Sequence, residues 1–350
     1  MIKEIQFLSK QRNSQIEGLR GIAILVIVAY HMFDRYQQIY LNNSIPWMDS
    51  WGTFGVAIFF ILSFYFLFDF KCVMISWKEG MILFFHKILR LWPCYAVAVT
   101  TIFIVTHIWL LPGRTVDVKS YLSNLIFINR FFALDYVDGA HWYLRVLVSI
   151  IVISILIRIA KIYKNPLTYI IWITLSAIIN YIIVRSGLME SDIHLLGGPY
   201  VCYVGIVISM RVIIEGMDVL DVKNLLHRII DNWKWSMVAL YSGFMLLFLS
   251  GKMCVLEIVI ILPVFLLCLF GRARVLDNRF LLNIAKVSYS IYLIHQNIGF
   301  IIQNKMTEMI GTWNYFIPLV TSIIVIMLGV ALYSLVEQPL QNYRKRFNTR

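Results

Sequence analysis

The sequence predicts an all-α fold, a polytopic transmembrane bundle of about ten helices with both termini in the cytoplasm. Composition, the spacing of apolar runs and the distribution of charge each point there. Hydrophobic residues make up 60% of the 350, and charged residues only 14%, where soluble domains carry roughly 25%. So little polar surface excludes a disordered chain and leaves a soluble globule with more apolar segments than it can hide. Mean hydropathy is +0.77.

The apolar runs fall at about 18–34, 53–70, 91–112, 141–160, 166–185, 198–215, 235–250, 254–270, 287–303 and 316–337. Each is long enough to cross or nearly cross a hydrocarbon layer as a helix. With the N-terminus inside, the intervening segments place 22 of the 31 Lys and Arg residues on the cytoplasmic side and seven outside. That bias is the signature of membrane insertion. It also assigns the net charge of +12 to contact with anionic lipid rather than to nucleic acid.

The first run reads as an uncleaved crossing, because a polar 17-residue segment precedes it and no small-residue cleavage pattern follows. The expected organisation is one domain over 1–350: a short cytoplasmic segment 1–17, the bundle 18–337 and a basic tail 338–350. Segment 113–140 is polar around an apolar patch of about ten residues, too short to span, and is expected to be interfacial or re-entrant. The five cysteines form no C-x-x-C pair and read as small core residues. Metal-ligand spacings, glycine-rich phosphate loops and a G-x-S-x-G elbow are missing from the sequence, so no metal site is expected.

Ionisable groups at membrane depth are costly and mark function or pairing. Arg20 and His31 lie eleven residues apart on the first helix, which is three turns plus about 20° and some 16 Å of rise. Both therefore project from one face, and they are expected to line a shared passage. Spacing alone leaves open whether Arg20 reaches to headgroups and His31 bonds a neighbouring helix. Lys87 and Arg90, three apart where a cytoplasmic loop is expected to enter the third helix, suit a phosphorylated ligand or simple membrane anchoring. His141-Trp142-Tyr143-Leu144-Arg145 opens the fourth helix and also suits an interfacial aromatic belt with Arg145 reaching to the surface. Ser288, Tyr292 and His295 share a face of the ninth helix. Glu337 ends the tenth, before Pro339, where pairing with the basic tail is the plain alternative. Glu257 stands alone in the eighth and is expected to make a buried hydrogen bond, and Ser63 in the second suits helix packing.

Taken together these motifs resemble acyltransferase family 3, the bacterial membrane enzymes that O-acylate surface polysaccharides. The likeness rests on Glu17-Gly18-Leu19-Arg20-Gly21 running to His31, on Gly55 to Ser63, and on Lys87-Ile88-Leu89-Arg90-Leu91-Trp92-Pro93. His141 to Leu144, Ser288 to His295 and Val336-Glu337-Gln338-Pro339 follow in the family's order. The resemblance spans about 14–345. Ala57, Phe64, Lys87 and Leu147 depart from the common pattern and bear on acceptor identity and on Ser63. The resemblance implies an acetyltransferase of the inner or plasma membrane that uses acetyl-CoA as co-substrate, with no permanently bound cofactor. The partners expected are acyl-CoA, a cell-surface or lipid-linked carbohydrate and membrane lipids; homo-oligomers and glycan-assembly partners stay open. His31, Arg20 and Glu337 are the expected catalytic residues, and Lys87 and Arg90 the expected acyl-CoA ligands. Ser63, Trp142, Tyr143, Tyr292 and His295 are the expected substrate or orienting residues, with Tyr143, Tyr292, His295 and Glu337 expected to orient His31 or the acceptor. His31 would serve as general base or transient acetyl carrier. The rival reading is a proton-coupled exporter of a glycan precursor, with His31 and Glu337 relaying protons.

Overall fold

The computed structural model describes residues 13–68, 75–186, 194–250 and 252–348, with the backbone alone at 252–256 and 344–348. Expectations on Lys3, Lys10, Arg12, Lys71, Cys72 and Arg350 lie outside the described residues. So do those on the side chains of Cys254, Arg344, Lys345 and Arg346. All secondary structure among the described residues is helical.

Chain order gives α1 (Ser14–Ala29), a wide π turn (Tyr30–Arg35), α2 (Tyr36–Tyr40), α3 (Trp51–Leu67), α4 (Trp77–Ile108) and α5 (Val118–Leu125). Then come α6 (Trp142–Ile159), α7 (Pro166–Ser186), α8 (Val201–Ile214), α9 (Val222–Asp231), α10 (Trp233–Ser250) and α11 (Lys252–Leu269). The last are α12 (Arg279–Ile310), α13 (Phe316–Leu332), a second π turn (Tyr333–Glu337) and α14 (Gln338–Asn348). Each of the ten apolar runs coincides with one helix. Among the described residues six helical segments are long and apolar enough to cross a membrane, while α3 and part of α11 are apolar but shorter.

Two helices overrun their expected limits. The third begins at Trp77 rather than 91, because Ser76 and Glu79 form a reciprocal capping box that starts the helix before the hydrophobic run. Lys87 and Arg90 therefore sit three apart within one continuous helix, as their spacing implies. The ninth extends from Arg279 to Ile310, its N-terminus fixed by the Asn278 side chain accepting from Leu281 N–H.

The centre of the bundle is α1, packed between α12 and α3, with α8 against α3 and α10, and α13 behind α12. Close approach at α1 depends on glycine: a Cβ on Gly18 would stand 1.9 Å from the Leu276 carbonyl oxygen, and one on Gly21 would stand 2.5 Å from that of Leu281. Small residues of this kind let backbones touch in the membrane. In segment 113–140 the irregular backbone is satisfied internally: Asn124, 1% exposed, donates to the Ser120 and Asp135 carbonyls at 2.8 Å and accepts from Val137 N–H. Arg145 does not reach to the surface. It is buried, and its Nε donates to the Tyr136 hydroxyl at 2.9 Å.

Gly18→Val is expected to force α1 off the 274–281 segment at a cost of about 1–3 kcal/mol, measured as a lowered melting temperature of the purified protein in detergent.

Candidate active site

His31 is the second residue of the first π turn, where Tyr36 N–H bonds to the His31 carbonyl five residues back. Such wide turns insert an extra residue and recur at functional sites. The His31 ring meets His295 of α12 edge-on, ring centres 4.7 Å apart, with His31 Nδ1 and His295 Nε2 at 3.3 Å.

The surrounding carbonyls assign the tautomers of the neutral rings. His295 Nδ1 lies 2.7 Å from the Tyr292 carbonyl oxygen, which can only accept, so the hydrogen is on Nδ1 and Nε2 is the lone pair. His31 Nδ1 then faces two acceptors, His295 Nε2 and the Ile27 carbonyl at 2.9 Å. Its hydrogen belongs on Nδ1. His31 Nε2 keeps its lone pair, and no hydrogen-bond partner for it falls among the described residues. The His31 side chain is itself part of the wall of a cavity.

That cavity measures about 570 Å³, with Thr53, Phe60, Trp142, Tyr200 and Tyr292 among its walls. Thr53 donates to Glu257 Oε1 at 2.5 Å, which is the buried hydrogen bond expected of Glu257. Trp142 and Tyr200 rings pack 4.9 Å apart, and the Tyr292 hydroxyl donates to the Ala140 carbonyl.

A loop fixes the turn of α12 that carries His295. In an α-helix the Leu293 carbonyl and the Asn297 N–H pair with each other. Here His141 Nε2 also donates to the Leu293 carbonyl at 2.9 Å, and Asp138 Oδ2 accepts from Asn297 N–H at 3.0 Å. Asp138 Oδ1 accepts from Ala140 N–H at 2.9 Å, and Asn297 Nδ2 donates to the Val137 carbonyl at 2.8 Å. Asp138 and His141 are each 1% exposed, so the clamp is sealed from solvent.

A second cluster lies further along α12. Ser290 Oγ donates to Glu337 Oε2 at 2.6 Å, and Gln341 Nε2 donates to Oε1 at 2.9 Å. Cys94 Sγ lies 3.7 Å from Ser290 Oγ. The Arg90 and Arg20 guanidiniums are in electrostatic range of the Glu337 carboxylate, while Arg20 is ion-paired with Glu17 at 3.0 Å. Ser63 and Tyr143 hydroxyls are 3.0 Å apart, with Arg20 in range of Tyr143. Lys87 is half-buried and Arg90 exposed on α4.

The structure thus sorts the expected residues into two groups. His31, His295, Tyr292 and Trp142 gather at the cavity; Arg20, Glu337, Arg90, Ser63 and Tyr143 gather beside it. Glu337 does not touch His31, because Ser290 and His295 are five residues apart on α12, about 7.5 Å of rise. A single passage lined by both Arg20 and His31 is also not what forms: Arg20 is not in the cavity wall. Tyr143 packs at the edge of the cavity, its ring 4.6 Å from Phe60 and 5.6 Å from Tyr292. His295, expected as a residue that orients His31 or the acceptor, does meet the His31 ring, whereas Asp138 was not foreseen. Asp138 carried one signal, an acid at the end of the polar segment just before His141.

Asp138→Ala is expected to strip the carboxylate bonds from the Ala140 and Asn297 N–H groups, at about 1–3 kcal/mol in total. Thermal unfolding should show a clear drop, and Asp138→Asn, which keeps one acceptor oxygen, a smaller one.

Residues 13–335 match the family model described as acyltransferase domain, the third acyltransferase family. Searches among curated proteins and among solved structures each returned no match. A match over nearly the whole chain, on a fold of long apolar helices, makes the protein a multi-pass membrane acyltransferase that belongs to acyltransferase family 3.

Proposed function

We propose that the protein transfers an acetyl group from acetyl-CoA to a hydroxyl of a cell-surface or lipid-linked carbohydrate, in the inner or plasma membrane, with His31 as general base. The observation that carries this reading is a cavity-lining His31 whose Nδ1 is engaged by the Ile27 carbonyl and His295, which leaves Nε2 as the basic nitrogen.

In the proposed step the acceptor hydroxyl gives its proton to His31 Nε2 as its oxygen attacks the thioester carbonyl. The tetrahedral intermediate collapses, the C–S bond breaks, and the imidazolium returns the proton to the departing thiolate of CoA. Atoms and charge balance without a further reactant. The Ile27 carbonyl and the His295 lone pair both accept from His31 Nδ1–H, and both stabilise the imidazolium while it exists. Asp138 and His141 hold the α12 turn, so they position His295 rather than touch substrate.

Acetyl-CoA is made in the cytosol, and the charge bias puts Lys87, Arg90 and Arg20 on that side. We assign its phosphates to Lys87 and Arg90 on α4. Glu337 and Ser290 form the wall behind Arg90, and the thioester arm reaches His31 only when Tyr143 swings aside from Ser63. In this scheme Glu337 organises the donor end and takes no part in the proton transfer.

His31→Ala is expected to lose about 10²–10⁴-fold in turnover with melting temperature unchanged, measured as CoA release by the purified protein with acceptor present. Near-wild-type turnover would end the proposal. Acetylated His31 trapped without acceptor would replace the base role by a carrier role. Lys87→Ala and Arg90→Ala are expected to raise KM for acetyl-CoA by about tenfold each and to change kcat little. Donor-saturation curves check this.

A further inference from the structure

Arg35 and Arg114 come from distant parts of the chain, the first π turn and the loop before α5, and both line the His31 cavity. By the charge bias, they are two of only seven basic residues on the outer side, and both go to one cavity. Neither forms an ion pair among the described residues. Arg35 Nη1 donates to Gln38 Oε1 at 2.8 Å. Arg114 lies over the Phe300 ring at 5.9 Å and hydrogen-bonds with the Tyr40 side chain. Each guanidinium has five N–H donors, so most stay available. Both are half-buried, and both lie in electrostatic range of the His31 ring.

Room for the second guanidinium is provided by a glycine. A Cβ on Gly139 would stand 2.9 Å from Arg114 Nη1, so any larger residue there displaces it. One acid, Asp49, also lines the cavity, and its Oδ1 already accepts from Gln38 at 3.2 Å. The buried Asp34 behind Arg35 is also engaged, accepting from Gln38 Nε2 at 2.7 Å and from Ile45 N–H at 2.6 Å, so neither carboxylate pairs with a guanidinium. Placing two charges in a half-desolvated wall is costly unless an anion completes them. Trp142 and Tyr200 add aromatic surface to the same cavity.

Resting on the acyltransferase reading of this cavity, we propose that the acceptor glycan is anionic. Its carboxylate or phosphate binds between Arg35 and Arg114 and so presents a neighbouring hydroxyl to His31. A uronic acid residue and a phosphodiester of a glycan or its lipid carrier share this chemistry.

Binding to the wild-type protein in nanodiscs, without acetyl-CoA, tests the proposal apart from any transfer. The probes are oligogalacturonides, an oligomeric glycerol phosphate and neutral maltooligosaccharides of equal length, followed by calorimetry at two salt concentrations. One anionic probe is expected to bind about tenfold or more tightly than the neutral one, and to weaken with salt. Which anionic probe wins names the source of the charge. Arg35→Gln and Arg114→Gln should each remove about tenfold of that affinity and leave neutral binding unchanged. Gly139→Val should act like Arg114→Gln while keeping every charge, which covers the case of an arginine variant that does not fold. Neutral binding as tight as anionic would overturn the proposal. So would anionic binding that survives both arginine variants, or loss of CoA binding rather than glycan binding in those variants. A His31→Ala enzyme that still turns over would sink the base assignment alone, because this binding assay never uses it.

Discussion

The contact between His31 and His295 depends on how closely α1 and α12 can approach. Both rings are short, and a 3.3 Å approach of their nitrogens requires two long helices to lie nearly in touch over several turns. Gly18 and Gly21 permit this at one end of α1, where carbonyl oxygens occupy the space a side chain would need. At the other end Gly299 of α12 meets Met32, whose sulfur lies 2.6 Å from where a Cβ would be. The glycines set the distance, the distance pairs the rings, and the pairing decides which nitrogen of His31 is basic.

Around that pair the bilayer imposes a strict rule, that backbone polar groups find partners within the protein. The 113–141 segment shows how irregular chain meets it. Asn124 and Asp138 replace water as partners for the loop, and Asp138 with His141 also bonds to an N–H and a carbonyl of α12. The loop is thereby continuous, in hydrogen-bonding terms, with the helix that carries His295. Structure and chemistry share the same few atoms here.

Much of the architecture was legible in the sequence, because apolar runs of membrane length leave the backbone little choice but helix. The boundaries were less so. Hydropathy alone cuts the third helix at residue 91, whereas the Ser76–Glu79 capping signal marks the true start. Both π turns were invisible, since nothing in Tyr30–Arg35 or Tyr333–Glu337 breaks a helical pattern. Arg20 and His31 were found by their spacing on one helix. Local periodicity says nothing about a partner 264 residues away, so by spacing alone His295 was legible as a seam residue and not as the ring that touches His31. The shared passage failed for a related reason: a single-helix argument cannot see Tyr143 arriving from α6 to pack at the edge of the cavity. Glu337 fell to Ser290 and Gln341 because the second π turn and α14 bring those groups closer than His31.

Helix α12 carries buried Ser288, Ser290, His295, Gln296, Asn297 and Gln303, and it is not among the segments apolar enough to cross a membrane by themselves. Its place in the bilayer is therefore conditional. As the chain emerges during synthesis, this stretch gains little from lipid until α1 and the 135–141 loop are present to receive its polar face. The very apolar α13 that follows after a short turn supplies the partitioning energy for both. Insertion of this part of the bundle is in this sense a late, assisted event, in which the helix bearing His295 enters as a passenger of its neighbour.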